Sequence, residues 1–286
     1  MKLVKYFFEF IIIITFFFIF KIIGYKNASN LGNFIGRIFG PYFRSNLKIK
    51  NNLKDSNIGN SDDDRKIIIK KMWSNYGRIF AEYMYIKSFR NNNLQKYIKI
   101  TGQNILEEIK RNNEPVIFFS GHFNNFELMA MHLEKSEIDL AAIYRPLNNK
   151  FLNPFMEKIR KNYICKKQIK KGISGTKEIL KYFKGGTSIA LMIDQRVSEG
   201  INSRFFGRQA LTTTIPAQFV IKFNCKVVPI YIERLEKFKF SLEILKPLEF
   251  SKNEKIETIT VKLNEILEEM IKRNPEQWIW THNRWK

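Results

Sequence analysis

Two residues able to move a proton between them stand five positions apart in "PVIFFSGHFNNFELMA" (residues 115–130): His122 and Glu127. A neutral imidazole takes a proton from a hydroxyl, and a carboxylate fixes its tautomer and stabilises the imidazolium that forms. On one continuous helix the pair would point about 140° apart, since five residues turn through roughly 500°. They meet only if His122 ends a strand and Glu127 lies in the first turn of the helix after it. The flanking pattern predicts that geometry. "PVIFFS" is a buried-strand run, Gly121 permits a sharp turn, and "FELMAMHLEK" has helical spacing.

A base of this kind needs a nucleophile. No G-x-S-x-G elbow occurs, and Ser120 is too close to His122 in the strand to present its hydroxyl to that ring. Cys165 and Cys225 have no activating context and form no C-x-x-C pair, so neither a thiolate nucleophile nor a disulfide framework is expected. His122, His132 and His282 lie far from both cysteines, with no H-x-x-x-H or H-E-x-x-H pattern, which argues against a metal site. The nucleophile expected is a hydroxyl carried by the substrate, which means direct acyl transfer without a covalent acyl-enzyme.

The elements that must position these residues follow from periodicity. Residues 29–53 predict short helices broken around Gly40 and Pro41. A helix from about Asp63 to Lys87 carries an apolar stripe that includes Met72, Trp73, Tyr76 and Phe80. From Ile98 onward, strand and helix patterns alternate, which predicts an α/β fold with a mainly parallel sheet flanked by helices. Ligands in such sheets sit outside the carboxyl ends of the strands. His122, Arg145 and Asp194 each fall just past a predicted strand end. The closing segments are "KVVPIYIER" and "KFKFSLEIL" as strands and Lys255–Arg273 as an amphipathic helix.

The amino terminus, "MKLVKYFFEFIIIITFFFIFKIIGYK", approaches the roughly 20 apolar residues that span a bilayer. A signal peptide competes with a retained anchor, but no A-x-A-like cleavage site follows. Lys21, Lys26 and Arg37 follow the span while only Lys2 and Lys5 precede it, favouring a cytoplasmic body. The expected organisation is an anchor over 1–26 and a domain over 27–286, helical to residue 97 and an α/β core from 98.

The chain carries 49 Lys and Arg against 27 Asp and Glu, a formal net charge of +22. That balance fits an anionic partner, although the Lys-, Ile- and Asn-rich usage of an AT-rich genome produces the same bias. A membrane-tethered nucleic-acid-binding protein would cluster its basic residues and leave aromatics free to stack. Here the basic residues are spread along the chain and most aromatics sit in apolar stripes, so no nucleic-acid partner is expected.

"GHFNNFE" resembles the H-x4-D/E motif of glycerolipid-type acyltransferases, and in detail the lauroyl/myristoyl acyltransferase family of lipid A biosynthesis. "IGRIFG", "YGRIFAE", "YRPLNN", "MIDQRVSEG", "RFFGRQALTTTIPAQFV", "VVPIYIER" and the terminal "NPEQWIWTHNRWK" fall in that family's order, over residues 30–286. Asn124 stands where glycine is common and Phe126 where tryptophan is common. The resemblance implies His122 as general base and Glu127 as its orienting carboxylate. It makes Arg145, Asp194 and Gln195 substrate-binding residues, with Phe205, Phe206 and Gly207 shaping the acyl or lipid site. It further implies acyl-acyl carrier protein as donor and a hydroxyl of a Kdo-lipid IVA type lipid A precursor as acceptor, in lipopolysaccharide biosynthesis. A glycerophospholipid or glycolipid acceptor is the alternative. No metal and no dissociable cofactor is expected. The place implied is the bacterial inner membrane, with one anchor and the catalytic domain on the cytoplasmic face.

Overall fold

The computed structural model describes residues 2–285. The first helix, α1 (Lys2–Ile23), exposes Phe8, Ile12, Phe18 and Ile22 and buries only Phe17 and Phe20. Its 22 residues reach about 33 Å at 1.5 Å per residue, long and apolar enough to cross a bilayer. Phe17 packs against Phe80, Tyr83 and Phe155. Near the other end of the helix, Phe7 meets Phe151, and the Asn149 amide donates to the Tyr6 carbonyl at 2.8 Å. The helix is thus seated along the body, and its two inward Phe side chains belong to the same continuous core as the sheet.

After Gly24 come α2 (Tyr25–Phe43), α3 (Asn46–Asp55) and α4 (Asp62–Glu82). The start of α4 carries a capping box. Ser61 Oγ accepts the Asp64 N–H, and the Asp64 carboxylate accepts the Ser61 N–H. Helices α2 and α4 approach backbone to backbone through Gly32, Gly36 and Gly77: a Cβ on Gly36 would lie 2.2 Å from the Trp73 carbonyl oxygen. That contact explains why α2 runs on through Gly40 and Pro41 instead of breaking there. Gly40 lies against the Trp73 indole, and Pro41, which cannot donate to the carbonyl four residues back, costs α2 one bond near its end. Helix α4 stops at Glu82, earlier than its periodicity predicts. The chain tightens through a 3-10 turn at Tyr83–Tyr85, where the Tyr85 hydroxyl donates to the Phe20 carbonyl, before α5 (Ile86–Arg90).

The remainder runs β1 (Ile98–Thr101), α6 (Gln103–Asn112), β2 (Ile117–Ser120), α7 (Glu127–Lys135), β3 (Leu140–Tyr144), α8 (Leu152–Tyr163) and β4 (Lys167–Lys170). Then follow α9 (Ile173–Lys184), β5 (Ser188–Met192), β6 (Ile201–Phe205), β7 (Arg208–Thr212), α10 (Ile215–Phe223), β8 (Val227–Glu236), β9 (Lys239–Ile244) and α11 (Ile256–Arg273). Seven strands form one sheet in the order β1-β9-β8-β2-β5-β3-β4, parallel except for β8 with β9. The α/β architecture expected from the alternating pattern is the one found. Strands β6 and β7 form a separate antiparallel hairpin whose two-residue turn is Phe206–Gly207, both at positive φ (49° and 72°). That is the backbone a right-twisted two-residue hairpin requires.

Candidate active site

The central pairing of β2 with β5 builds the site. These strands are parallel, with Ser120 opposite Met192. His122 and Asp194 are each two residues beyond that pair, so two residues far apart in the chain leave the sheet side by side. His122 Nδ1 lies 2.8 Å from Asp194 Oδ1, and the His122 main-chain N–H donates to Asp194 Oδ2 at 2.8 Å. The Trp278 indole N–H also donates to Oδ2, at 2.9 Å. Asp194 is wholly buried, whereas the His122 side chain keeps 23% exposure.

A carboxylate surrounded by donors is an acceptor, so Nδ1 carries the ring proton and Nε2 is the basic nitrogen. Burial disfavours charge on the ring. The adjacent Asp194 charge and hydrogen bond, with a smaller contribution from Glu127, outweigh it, and the His122 pKa is raised. Burial would likewise raise the Asp194 pKa, but the His122 charge and the three hydrogen bonds hold it low. Phe126 packs edge-on to the imidazole, ring centroids 4.8 Å apart.

Glu127 opens α7, as the strand–turn–helix reading expects, and lines the same cavity as His122. Its carboxylate does not bond to the ring. Arg160 of α8 takes it instead, with Nε and Nη2 donating to Oε1 at 2.8 and 2.7 Å. The expectation that Glu127 orients the imidazole is therefore corrected: among the described residues, Asp194 is the carboxylate hydrogen-bonded to it. The physical reason is the strand register, which delivers Asp194 directly to Nδ1, while α8 delivers a guanidinium to Glu127. Asp194 is correspondingly not a substrate-contacting residue, because none of its surface is open.

The cavity encloses about 410 Å³. Ala142 and Ala190, register partners on β3 and β5, and Ala130 of α7 keep one wall slim, with Ile164, Met192 and Ile215 completing an apolar lining. Arg145, one residue past β3, lines the cavity as well, together with the polar side chains of Lys171 and Gln195. The Gln195 amide is 3.5 Å from His122 Nδ1. The structure thus brings His122, Glu127, Arg145, Asp194 and Gln195 to one place. Phe205, Phe206 and Gly207 are elsewhere, which corrects their assignment to the acyl site. Phe205 ends β6 and Phe206–Gly207 form the turn after it, and Phe205 is fully buried in a stack with Trp285 at 5.7 Å, edge-on to Trp278. Phe206 packs on Phe205 and on Trp280 of the C-terminal aromatic cluster, at 5.0 and 6.2 Å between ring centroids.

The other histidines are not bases for this cavity. His132 bonds to Gln103, and burial with Lys135 nearby pushes its pKa down to about 4. His282 Nε2 accepts the Arg196 N–H at 3.1 Å, and burial lowers its pKa as well. Arg160 and Trp278 were not legible as site residues. Arg160 is one basic residue among several in "MEKIRKNY", and Trp278 lies 84 positions from Asp194. Among the described residues no cluster of His, Cys, Asp or Glu has metal-binding geometry.

A model of the family described as bacterial lipid A biosynthesis acyltransferase matches residues 1–286. The chain is 23% identical over 257 residues to the lipid A biosynthesis myristoyltransferase of Escherichia coli (strain K12), covering 88% of this chain and 77% of that protein. It is also 23% identical over 226 residues to lipid A biosynthesis acyltransferase 2 of Shigella flexneri, covering 77% and 71%. A solved structure, the 1-acyl-sn-glycerophosphate (LPA) acyltransferase of Thermotoga maritima, aligns at TM-score 0.39 and 14% identity over 87% of this chain and 92% of that one.

Proposed function

The chain, matched over its whole length, belongs to the bacterial lipid A biosynthesis acyltransferase family, and we propose that it moves an acyl chain from acyl-acyl carrier protein to a hydroxyl of a Kdo-lipid IVA type precursor. The observation carrying this reading is a buried His–Asp pair whose free imidazole nitrogen belongs to a ring lining a largely apolar cavity.

In the proposed reaction His122 Nε2 takes the proton of the acceptor hydroxyl. The alkoxide oxygen bonds to the thioester carbonyl carbon, giving a tetrahedral oxyanion. Collapse breaks the carbon–sulfur bond, and the imidazolium returns its proton to the departing thiolate. Donor and acceptor supply every atom, so the step balances without metal or cofactor. Asp194 holds the tautomer and stabilises the imidazolium. Glu127 adds negative charge near the ring and fixes the Arg160 guanidinium in the cavity wall. Arg145 and Gln195 are assigned to the substrate side, Arg145 as a donor for the oxyanion or for an anionic group of either substrate.

Two further features support a membrane-borne acceptor. The cavity-lining segment Arg145–Asn148 leads directly into Asn149 and Phe151, which hold the amino-terminal part of α1. If α1 lies in the bilayer, it brings the cavity close to lipid. The +22 charge complements an acidic carrier protein and a phosphorylated lipid. We place the protein in the bacterial inner membrane with its catalytic body on the cytoplasmic face.

The test is incubation of the purified protein with acyl-acyl carrier protein and a tetra-acylated, Kdo-bearing precursor. A mass increase of one acyl group as a base-labile ester is expected, with the amide-linked chains untouched. Ready acylation of lysophosphatidic acid with the glucosamine lipid unchanged would move the assignment to a glycerophospholipid acceptor.

A further inference from the structure

The described residues of the terminal segment "NPEQWIWTHNRWK" do not line the cavity, yet they bond to Asp194 and, through Asn124, to the loop that carries His122. We propose that its adjacent residues Gln277 and Trp278 are positioning residues, Gln277 setting the loop that carries His122 and Trp278 setting Asp194. The proposal rests on the reading of His122 as the base.

Gln277 works through Asn124. The Gln277 main-chain carbonyl accepts the Asn124 N–H at 3.2 Å, and its side-chain oxygen accepts from the Asn124 amide. Asn124 is at φ 42°, a left-handed backbone that asparagine tolerates better than most residues. An asparagine at this glycine-type position is therefore suited to the turn and supplies an additional tie. Gln277 is itself fastened to β8, where its oxygen accepts the Arg234 N–H at 2.8 Å and its Nε2 donates to the Arg234 carbonyl at 3.0 Å. The His122 loop is thus tied to β8 through Gln277, beside a direct and longer bond from the Asn124 amide to the Ile232 carbonyl at 3.4 Å.

Trp278 works through Asp194. Its indole N–H shares Oδ2 with the His122 main-chain N–H, leaving Oδ1 for the ring. The indole is 1% exposed and packs edge-on to Trp280 at 4.7 Å. The rest of the tail is cross-braced to the β6–β7 hairpin. Arg284 donates to the Leu211 carbonyl and to Thr212 Oγ1, both at 2.6 Å, and Trp285 donates to the Phe205 carbonyl at 3.1 Å. The hairpin therefore acts on the site indirectly, by bracing the tail.

The two residues have separable signatures. Trp278→Phe removes one donor from Asp194, concentrates charge on the carboxylate and favours the imidazolium. The other charged or titratable groups facing the ring, Glu127, Arg160 and His282, stay in place. The acid limb of kcat/KM should move upward by about half a pH unit, roughly a threefold change in the imidazolium-to-imidazole ratio. Gln277→Met loosens the loop without touching the charges, so kcat should fall while the limb stays where it is.

The experiment is an NMR titration of the His122 ring in the full chain, labelled with ¹⁵N-histidine and held in detergent, for wild type, Trp278→Phe and Gln277→Met. It reads the ring whether or not the proposed transfer occurs, so a wrong substrate assignment does not mask the result. Benzothienylalanine at 278 keeps the bicyclic shape with sulfur in place of the N–H, and repeats the measurement without a packing defect. An upward shift in both 278 variants, absent in Gln277→Met, is expected. An unshifted His122 titration in the folded benzothienylalanine protein would reduce Trp278 to a core residue and overturn the proposal.

Discussion

Glu127 and Arg160 form a buried ion pair inside the cavity that His122 overlooks, with two guanidinium nitrogens on one carboxylate oxygen at 2.8 and 2.7 Å. Glu127 therefore acts on the imidazole through space, while Asp194 acts on it through a hydrogen bond. This division orders the effects of substitution. Asp194→Asn should be the more damaging carboxylate change. The amide can donate to Nδ1 and so place the ring proton on Nε2, where the base is needed. Glu127→Gln should also impair turnover, because it leaves the Arg160 charge buried beside a neutral partner, and Glu127→Asp should keep part of it. Steady-state rates for the three variants decide the matter. If Asp194→Asn matches wild type while Glu127→Gln is inactive, Glu127 is the orienting group after all.

His122→Ala should lower turnover by at least about a hundredfold, the low end for a general base. The substitution also leaves the wholly buried Asp194 carboxylate without its imidazole partner, so the unfolding midpoint should fall as well, and turnover is compared at a temperature where the variant is folded. Near-normal turnover in a folded variant would remove His122 from the mechanism.

The pH dependence follows from the two shifts. His122 must be neutral to accept a proton, and its pKa lies above the ordinary 6.5. The rate kcat/KM should therefore rise with pH and level off only above the usual histidine range. For stability the signs are opposite for the two partners. The raised His122 contributes fully below 6.5 and loses that contribution as pH climbs through its folded value. The lowered Asp194 contributes above 3.8 and loses it as pH falls through its folded value. The pair is thus most stabilising between those limits, which thermal unfolding at a series of pH values would show for wild type and not for His122→Ala.

Helices α2 and α4 supply a packing test. A methyl on Gly36 would meet backbone atoms, the Trp73 carbonyl oxygen at 2.2 Å and Gly77 Cα at 2.8 Å, and neither can rotate away. Gly36→Ala should force the helices apart and destabilise by about 1–3 kcal/mol, the usual range for overpacking. An unfolding midpoint equal to wild type would mean that the two helices can separate without loss.

Strand ends were the legible part of this protein. Apolar runs bounded by Gly, Pro or Asp mark β2, β3 and β5, and with them the places of His122, Arg145 and Asp194. Partnership across the sheet was not legible, because it depends on which strands are neighbours: β5 lies beside β2 although β3 and β4 intervene in the chain. Asp194 therefore read as a substrate residue and Glu127 as the ring's partner. Strand β4, "KQIK", has one buried residue, Ile169, and sits at the sheet edge, so no apolar run betrays it. The β6–β7 hairpin escaped because its turn is Phe-Gly instead of the Asn-Gly or Asp-Gly that signals such a turn. Helix α2 was misjudged at Pro41 because the stabilising contact belongs to α4, in a different part of the chain.

The amino-terminal helix yields a last prediction, since its two faces should respond differently. Phe20 is fully buried and packs against Phe16 and Phe80, at 5.9 and 5.8 Å between ring centroids. Phe18, two positions away, is 67% exposed. In detergent Phe20→Ala should destabilise the whole domain by about 3–5 kcal/mol, the range for emptying a buried aromatic site, because it opens a hole in the core that α1 shares with the sheet. Phe18→Ala should leave the unfolding midpoint nearly unchanged in detergent, as its side chain faces the surroundings. A helix serving only as a tether would make both substitutions silent in detergent. Equal midpoints for the two variants, both matching wild type, would therefore show that α1 is not seated on the body.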